Sequence, residues 1–329
     1  MIQPVRRPCE RSHDVGFGSL RRAREVWMSV RSLEDVAHVS VLRGSLAGPE
    51  TVPRVLVEVP HGACRRAHYD ACREQLVGTF PDRLEHFFHA NTDEGAWELG
   101  LATARQVLVQ CPDAAVQLIR CLVPRTFIDC NRVIDADPDL AGGGVTAGLH
   151  VYVEEAQDRT HLLALHRAYC DLVDRAMARV VAADGLVLVP HSYAPRTVGI
   201  ARVEHDIVEQ LHRVWAPDQV ETWPLRAEVD LITRDGDGAR LCPDGAVEAL
   251  VPALAGAGLT AVECGTYWLH PATRAAVLSA RYPKRLLCLE VRRDLLMDGW
   301  RPFEQSEPNR PLIDRVGRVI AEVIAARLG

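Results

Sequence analysis

The sequence predicts an α/β fold organised as one main domain. Three observations carry that expectation. Short apolar runs rich in Val, Leu and Ile (Val55–Val59, Val116–Val123, Leu186–Val189 and Arg285–Arg293) have the length and composition of buried strands. Amphipathic stretches long enough for helices lie between them. The two kinds alternate, with no internal repeat, low-complexity tract or linker after residue 50.

In chain order, residues 1–50 form an N-terminal extension to which we assign no chemistry, with a helix expected near Leu20–Val30 and a strand at Val39–Leu42. Residues 51–329 form the main domain. The strand Val55–Val59 ends in Pro60-His61-Gly62, where glycine permits a tight turn and the close approach of a ligand. A helical stretch runs to about Thr79. Asn91-Thr-Asp-Glu-Gly95 precedes the helix Trp97–Leu108, so Thr92 and Asp93 are also plausible N-cap types. After the strand from Val116, Arg125, Asp129, Asn131 and Arg132 crowd into eight residues. The glycine-rich segment Pro138–Gly148 reads as a flexible loop, a lid or a rim. The long helix Glu155–Ala183 has apolar residues at three- and four-residue spacings, and its His161 and His166 read as ordinary. The strand from Leu186 stops at Pro190 and presents His191. A helix at Val203–Trp215, a hairpin tip at Asp235–Gly238, a helix at Pro243–Ala257, a strand and glycine turn at Thr260–Tyr267, and a helix at Pro271–Tyr282 follow. The strand Arg285–Arg293 embeds Glu290 among apolar residues, and the last helix is Leu312–Leu328.

Composition narrows the function classes. The 329 residues are 48% hydrophobic and 25% charged, which suits a globular protein with a real core. A net charge of −6 without a basic, aromatic-interleaved stripe argues against a nucleic-acid partner. No apolar run has the roughly 18 residues of a membrane span, and the basic start lacks the apolar segment of a secretory signal. Ten cysteines contain no Cys-x-x-Cys pair, so they read as thiols in a reducing cytoplasm rather than disulfides or a structural zinc cage.

The chemistry lies at strand ends. Two strands share the ending Val-Pro-His, and ligands in open α/β sheets sit beyond the carboxyl ends of strands. His61, His191 and an acid at Asp93 or Glu94 give the two imidazoles and one carboxylate of a catalytic zinc site. A lone buried carboxylate such as Glu290 is paired, coordinated or raised in pKa for general-base work. Its structural alternative is a pair with Arg292 or Arg293. Arg132 with Asn131 suits a substrate carboxylate, and Arg125 suits an oxyanion; their alternative is a solvated turn closed by an Asp–Arg pair. Together these are the parts of an amide hydrolase for carboxylate-bearing substrates.

The order Val-Pro-His-Gly, Thr-Asp-Glu, Arg125…Asp129-Cys-Asn-Arg132, long helix, Val189-Pro-His-Ser192 and Leu289-Glu-Val-Arg-Arg293 resembles the N-formylglutamate amidohydrolase family across residues 52–328. The resemblance implies a three-layer α/β/α fold with a central mixed, mostly parallel sheet, as in zinc carboxypeptidases. It implies one Zn2+ held by His61, Asp93 (in preference to Glu94) and His191, with Glu290 as general base and Arg125 as a second catalytic group. Asn131, Arg132, Ser192 and Tyr267 would contact the substrate, a small molecule or peptide with a free carboxylate. The chain departs from the family at Gly62-Ala-Cys64 and at Ala168-Tyr-Cys170, where the family often has a histidine. Those departures keep the metal centre and leave the acyl group open. The alternatives are a zinc carboxypeptidase or amidase for a larger peptide, a family member that binds metal without turnover, and a cysteine hydrolase using Cys64 or Cys130.

Overall fold

We describe a computed structural model of the chain over residues 35–137, 145–200 and 202–328. The helix expected near Leu20–Val30 and the triglycine Gly142–Gly144 lie outside those residues.

Seven strands form one sheet: β1 (Ala37–Arg43), β2 (Val55–Val59), β3 (Ala115–Cys121), β4 (Leu186–Tyr193), β5 (Val229–Ile232), β6 (Ala261–Glu263) and β7 (Leu286–Arg292). Their order is β1-β3-β2-β4-β7-β5-β6. Pairings β2–β3, β2–β4, β4–β7 and β5–β6 are parallel; β1–β3 and β5–β7 are antiparallel. The sheet is mixed and mostly parallel, as expected. The strand expected at Val39–Leu42 is β1, and it pairs with β3 along its whole length, from Ala37↔Cys121 to Arg43↔Ala115.

The helices are α1 (Arg66–Arg73), α2 (Leu84–Asn91), α3 (Ala96–Gln110), α4 (Ala156–Ala182), α5 (Ile207–Val214), α6 (Ala246–Gly256), α7 (Arg274–Arg281), the single turn α8 (Arg293–Leu296) and α9 (Arg310–Ala325). Strand alternation sorts the core into two halves. Leu56, Ile119, Val187, Val189 and Cys288 pack against α1, α2, α4, α5 and α7. Val55, Val57, Val59, Leu188, Leu287 and Leu289 pack against α3, α6 and α9. Helices therefore cover both faces, giving three layers. Because both faces are covered, β2 and β4 are buried along their whole length and are mainly apolar, with Glu58 in β2 and His191 and Ser192 in β4 as buried polar residues.

Two elements differ from the sequence reading. Helix α2 was not expected; its N-cap position, Arg83, is left-handed (φ 55°) and makes no side-chain cap, so the chain carries no local start signal there. Strand β4 does not stop at Pro190 but runs on to Tyr193. The reason is the side on which the missing N–H falls. The amide of Leu186 donates toward β2 and that of Val187 toward β7, so Pro190 turns its nitrogen to the β2 side. The β2–β4 ladder has already ended at Val57↔Leu188, so the proline costs no hydrogen bond. The β7 ladder continues through His191↔Glu290 to Tyr193↔Arg292.

The expected hairpin tip is present: Arg234 and Arg240 bridge across it, and β6 clamps it. Arg240 donates to both oxygens of Glu263, at 2.7 and 2.6 Å, with Thr233 and Arg234 adding bonds. The Arg240 bonds above all hold the Glu263 carboxyl down to about 2. A depressed folded-state pKa contributes stability above the ordinary carboxylate value, and that contribution is lost as pH falls toward 2. We expect Glu263→Gln to flatten the acid limb of Tm against pH below about pH 4.5 while changing little in its dependence above pH 6. Parallel acid limbs for the two proteins would refute the role.

Candidate metal centre

Adjacent parallel strands deliver the two histidines. His61 follows the end of β2, and His191 lies within β4. Neighbouring strands connect in opposite directions here: β3 lies on one side of β2, and β4 on the other. That reversal opens the crevice in which α/β proteins place ligands. Gly62 behind His61 is required by packing against the protein, not by a ligand. A Cβ there would come within 2.4 Å of the Arg120 Cγ and 3.0 Å of the Cys121 carbonyl oxygen.

Asp93 comes from the turn between α2 and α3. It does not cap α3; the N-cap position is Gly95, with φ 85° and no side-chain cap. Instead its Oδ2 lies 3.2 Å from His61 Nδ1 and 2.9 Å from His191 Nδ1. The ligand atoms of these three buried residues all fall within 4.8 Å of one another. His61 Nε2 is 2.7 Å from Asp129 Oδ1. When Nε2–H donates to Asp129, Nδ1 turns its lone pair toward Asp93 and His191, as a cation ligand must. Without a cation, that lone pair faces a carboxylate unless the ring is protonated. Burial and Arg125 push His61 toward neutrality, but Asp129 and Asp93 outweigh them and raise its pKa. Donor type, convergence and the outer carboxylate all fit a divalent cation, and two imidazoles with one carboxylate suit zinc.

Glu94 faces elsewhere. Its Oε1 accepts from the Ser306 amide at 3.2 Å, and burial first of all pushes its carboxyl up to about 7. Ser192 turns its hydroxyl to the Glu94 carbonyl (2.7 Å), and its amide is 3.4 Å from Asp93 Oδ2, so it fastens the Asp93 turn to β4.

Glu290 stands beside His191 because the two are register partners in β4 and β7. Its Oε2 is buried without a hydrogen-bond partner. Neither expected arginine serves it: Arg292 pairs with Asp294, and Arg293 donates to the carbonyls of Ala90 and Ser192. Burial, ahead of all other influences, pushes the Glu290 carboxyl up to about 7.

The cluster after β3 closes the site. Arg125 donates to Asp93 Oδ1 (3.3 Å) and Asp129 Oδ2 (2.9 Å). Arg132 Nη1 is 3.4 Å from the same Asp129 oxygen. The Asn131 side-chain oxygen accepts from the Ala275 amide at the start of α7. Tyr267 is held at both ends. Asp230 accepts the backbone amides of Gly265, Thr266 and Tyr267, while the Arg226 guanidinium donates to the tyrosine oxygen at 3.2 Å. Arg226 itself lies over the rings of Tyr193 and Tyr267. His61, Asp93, Arg125, Asn131, Arg132, His191, Ser192, Tyr267 and Glu290 all line one cavity of about 710 Å³; Glu94 does not.

Sequence reasoning missed three contributors. Asp129 was visible in the Arg-rich cluster but read as an internal ion pair; its histidine is 68 residues away. Asp230 carried a weak signal, a lone acid in the strand Val229-Asp-Leu-Ile. Arg226 carried none. His166, read as ordinary, places Nε2 3.0 Å from the Arg132 carbonyl oxygen and supports that turn from α4. The geometry gives the cysteine-hydrolase alternative no support: Cys64 Sγ donates to the carbonyls of His61 and Asp93, not to an imidazole. Cys64 is buried with its thiol pushed up to about 12 by burial, and Cys130 is held well above its ordinary value by a hydrogen bond with Cys121 and by burial.

No protein-family model matches the chain, and no curated protein does. Among solved structures it is similar to N-formylglutamate amidohydrolase from Ralstonia eutropha, with 19% identity, 87% of this chain and 97% of that one covered, and a TM-score of 0.49. A gene product of Agrobacterium tumefaciens is similar at 19% identity, 90% and 97% coverage, and a TM-score of 0.47. A metallo-carboxypeptidase from Burkholderia cenocepacia follows at 10% identity, 94% and 68% coverage, and a TM-score of 0.36. The family named from the sequence motifs is thus among the structures this chain resembles. Among the described residues, no helix is long and apolar enough to cross a membrane.

Carboxylates that orient metal-binding histidines typically contribute 10- to 100-fold to metal affinity. We therefore expect Asp129→Asn to weaken zinc binding by about that factor in a chelator competition titration. Affinity equal to the parent protein would remove Asp129 from the metal centre.

Proposed function

We propose that this chain is a metal-dependent amide hydrolase with one Zn2+ per chain. Its substrate is an N-acyl amino acid, N-formyl compounds included, or a small peptide with a free carboxylate. The observation that carries this reading is the buried, unpartnered Oε2 of Glu290 beside the His61–Asp93–His191 cluster. A site that only stored metal would gain nothing from a solvent-shielded base with a pKa near neutrality.

His61, Asp93 and His191 would hold the ion. Once bound, zinc supplies Lewis-acid chemistry, polarising the amide carbonyl and acidifying water. Glu290 takes the proton from the attacking water and returns it to the departing amide nitrogen; a carboxyl near 7 can act as both base and acid at neutral pH. Arg125, kept charged by Asp129 and Asp93, stabilises the negative charge that builds on the carbonyl oxygen. Arg132 with Asn131 receives the substrate carboxylate and fixes the distance to the scissile bond. Tyr267 accepts from Arg226, which leaves its own O–H available to a substrate oxygen. In this reading the ligand is a small molecule, not nucleic acid or a membrane, and the setting is cytoplasmic.

We expect about one zinc per chain by elemental analysis, lost in the double variant His61→Ala/His191→Ala. Glu290→Gln is expected to keep the zinc and to lower kcat by roughly 10²- to 10⁴-fold, the usual worth of a general base. Turnover at the parent rate would sink that role, and a folded parent protein that takes up no added zinc would leave only a binding protein. For Arg132→Ala, loss of a charged hydrogen bond predicts a KM raised about tenfold or more with zinc content unchanged. An unaltered KM for a carboxylate substrate would contradict the assignment.

A further inference from the structure

The metal centre occupies only one end of its cavity. At about 710 Å³ the cavity lies in the upper part of the range of ~300–1,000 Å³ that holds drug-sized ligands, whereas a formylated amino acid fills a small part of it. One side of it is rich in apolar groups: Phe87 on α2, Ile200 and Val203 on the segment after β4, Ile207 and Leu211 on α5, and Trp215 after it, with Arg202 and Glu204 of that segment also on the lining. None of these elements carries Arg125, Asn131 or Arg132.

The apolar wall joins the reacting centre at two points. On one side the Phe87 ring packs 5.7 Å from that of His150, whose Nε2 lies 3.1 Å from the carbonyl oxygen of Arg125. On the other, Trp215 packs edge-on to Trp300 at 5.5 Å; Arg293 lies over Trp300 and donates to the Ser192 carbonyl beside His191. The cavity therefore joins the polar centre to an apolar arm lined from α2, the segment after β4 and α5. A formyl group has no atoms to place against those apolar side chains.

We propose that this arm receives the acyl chain and that the substrate class is N-acyl amino acids with a medium or long apolar acyl group. This rests on the hydrolase reading above. Binding would place the amino-acid carboxylate at Arg132, the scissile carbonyl beside Arg125 and the His61–Asp93–His191 cluster, and the hydrocarbon against the apolar side chains of α2, α5 and the segment before it. Hydrolysis then adds water across the C–N bond: the acyl carbon takes the hydroxyl, the nitrogen takes the proton from Glu290, and a free fatty or aryl acid and an amino acid leave.

The test uses the zinc-loaded, full-length protein and one amino acid acylated with formyl, acetyl, butanoyl, octanoyl and dodecanoyl groups. In parallel, one acyl group is varied over amino acids of different side-chain size. We expect kcat/KM to rise by on the order of threefold per added acyl methylene until the arm is filled, mostly through KM, as burial of hydrocarbon requires. Side-chain size should matter far less. Ile207→Asp should remove the chain-length dependence while leaving hydrolysis of the acetyl compound within a few-fold, and Val203→Glu, at a half-buried position, serves if the first variant does not fold. Flat dependence, a formyl optimum, or dependence on the amino-acid side chain instead would overturn the proposal while the hydrolase reading stood. Quenching of tryptophan fluorescence by the same series reports binding without turnover. Affinity that tightens with chain length in a protein that hydrolyses none of the series would keep the arm and discard the hydrolase.

Discussion

One buried carboxylate sets the geometry of the site. Asp129 accepts from His61 Nε2 at 2.7 Å, from Arg125 at 2.9 Å and from the Asn131 amide at 2.8 Å, and it pairs with Arg132 at 3.4 Å. Those bonds fix the tautomer of His61 in the candidate metal cluster and hold the Arg125 and Arg132 guanidiniums beside it. Its environment holds the Asp129 carboxyl well below the ordinary range, because Arg132, His61 and Arg125 together overcome the penalty of burial. The dependence is mutual. With Asp129 removed, Arg132 would lose its carboxylate partner and Arg125 would keep only Asp93, leaving two neighbouring guanidiniums undercompensated.

That carboxylate can work only because the sheet brings its partners to one edge. β2 and β4 are neighbours in the sheet though 131 residues separate Val55 from Leu186, and the parallel register with β7 sets Glu290 directly beside His191. Antiparallel pairing of β5 with β7 then puts Asp230 opposite Glu290, and Asp230 gathers the turn that carries Tyr267. Ser192 and Arg293 tie the same edge to the Asp93 turn and to α2. A polar centre this deep is tolerable because almost every charge in it has a partner. Among the described residues the unpartnered charged atoms near it are Glu290 Oε2, Glu94 Oε2 and Arg293 Nε, and of these Glu290 Oε2 belongs to the residue beside His191.

Much of this was legible in the chain because the relevant physics is local. Buried parallel strands read as apolar runs, and an imidazole after Val-Pro stands out at a strand end. An isolated glutamate in such a run announces either a pair or a function. Other features were hidden because their causes are not local. Helix α2 starts at a left-handed arginine without a cap, so no residue type marks it. Pro190 looked like a stop, and only the early end of the β2 ladder makes it harmless. Asp93 looked like a cap, and only the placement of two distant imidazoles shows that its carboxylate is engaged elsewhere.

The sequence by itself determined the α/β alternation, the strand-end histidines, the embedded glutamate and the arginine cluster, because each follows from periodicity or from the cost of burying charge. The choice between Asp93 and Glu94, adjacent residues of like chemistry, was made by the tertiary structure: the turn before α3 sends one carboxylate to the histidines and the other toward Ser306. The same is true of the role of Asp129, the clamp of Arg226 on Tyr267, and the apolar arm between α2 and α5. Each depends on groups far apart in the chain, and no local pattern encodes which of them will meet.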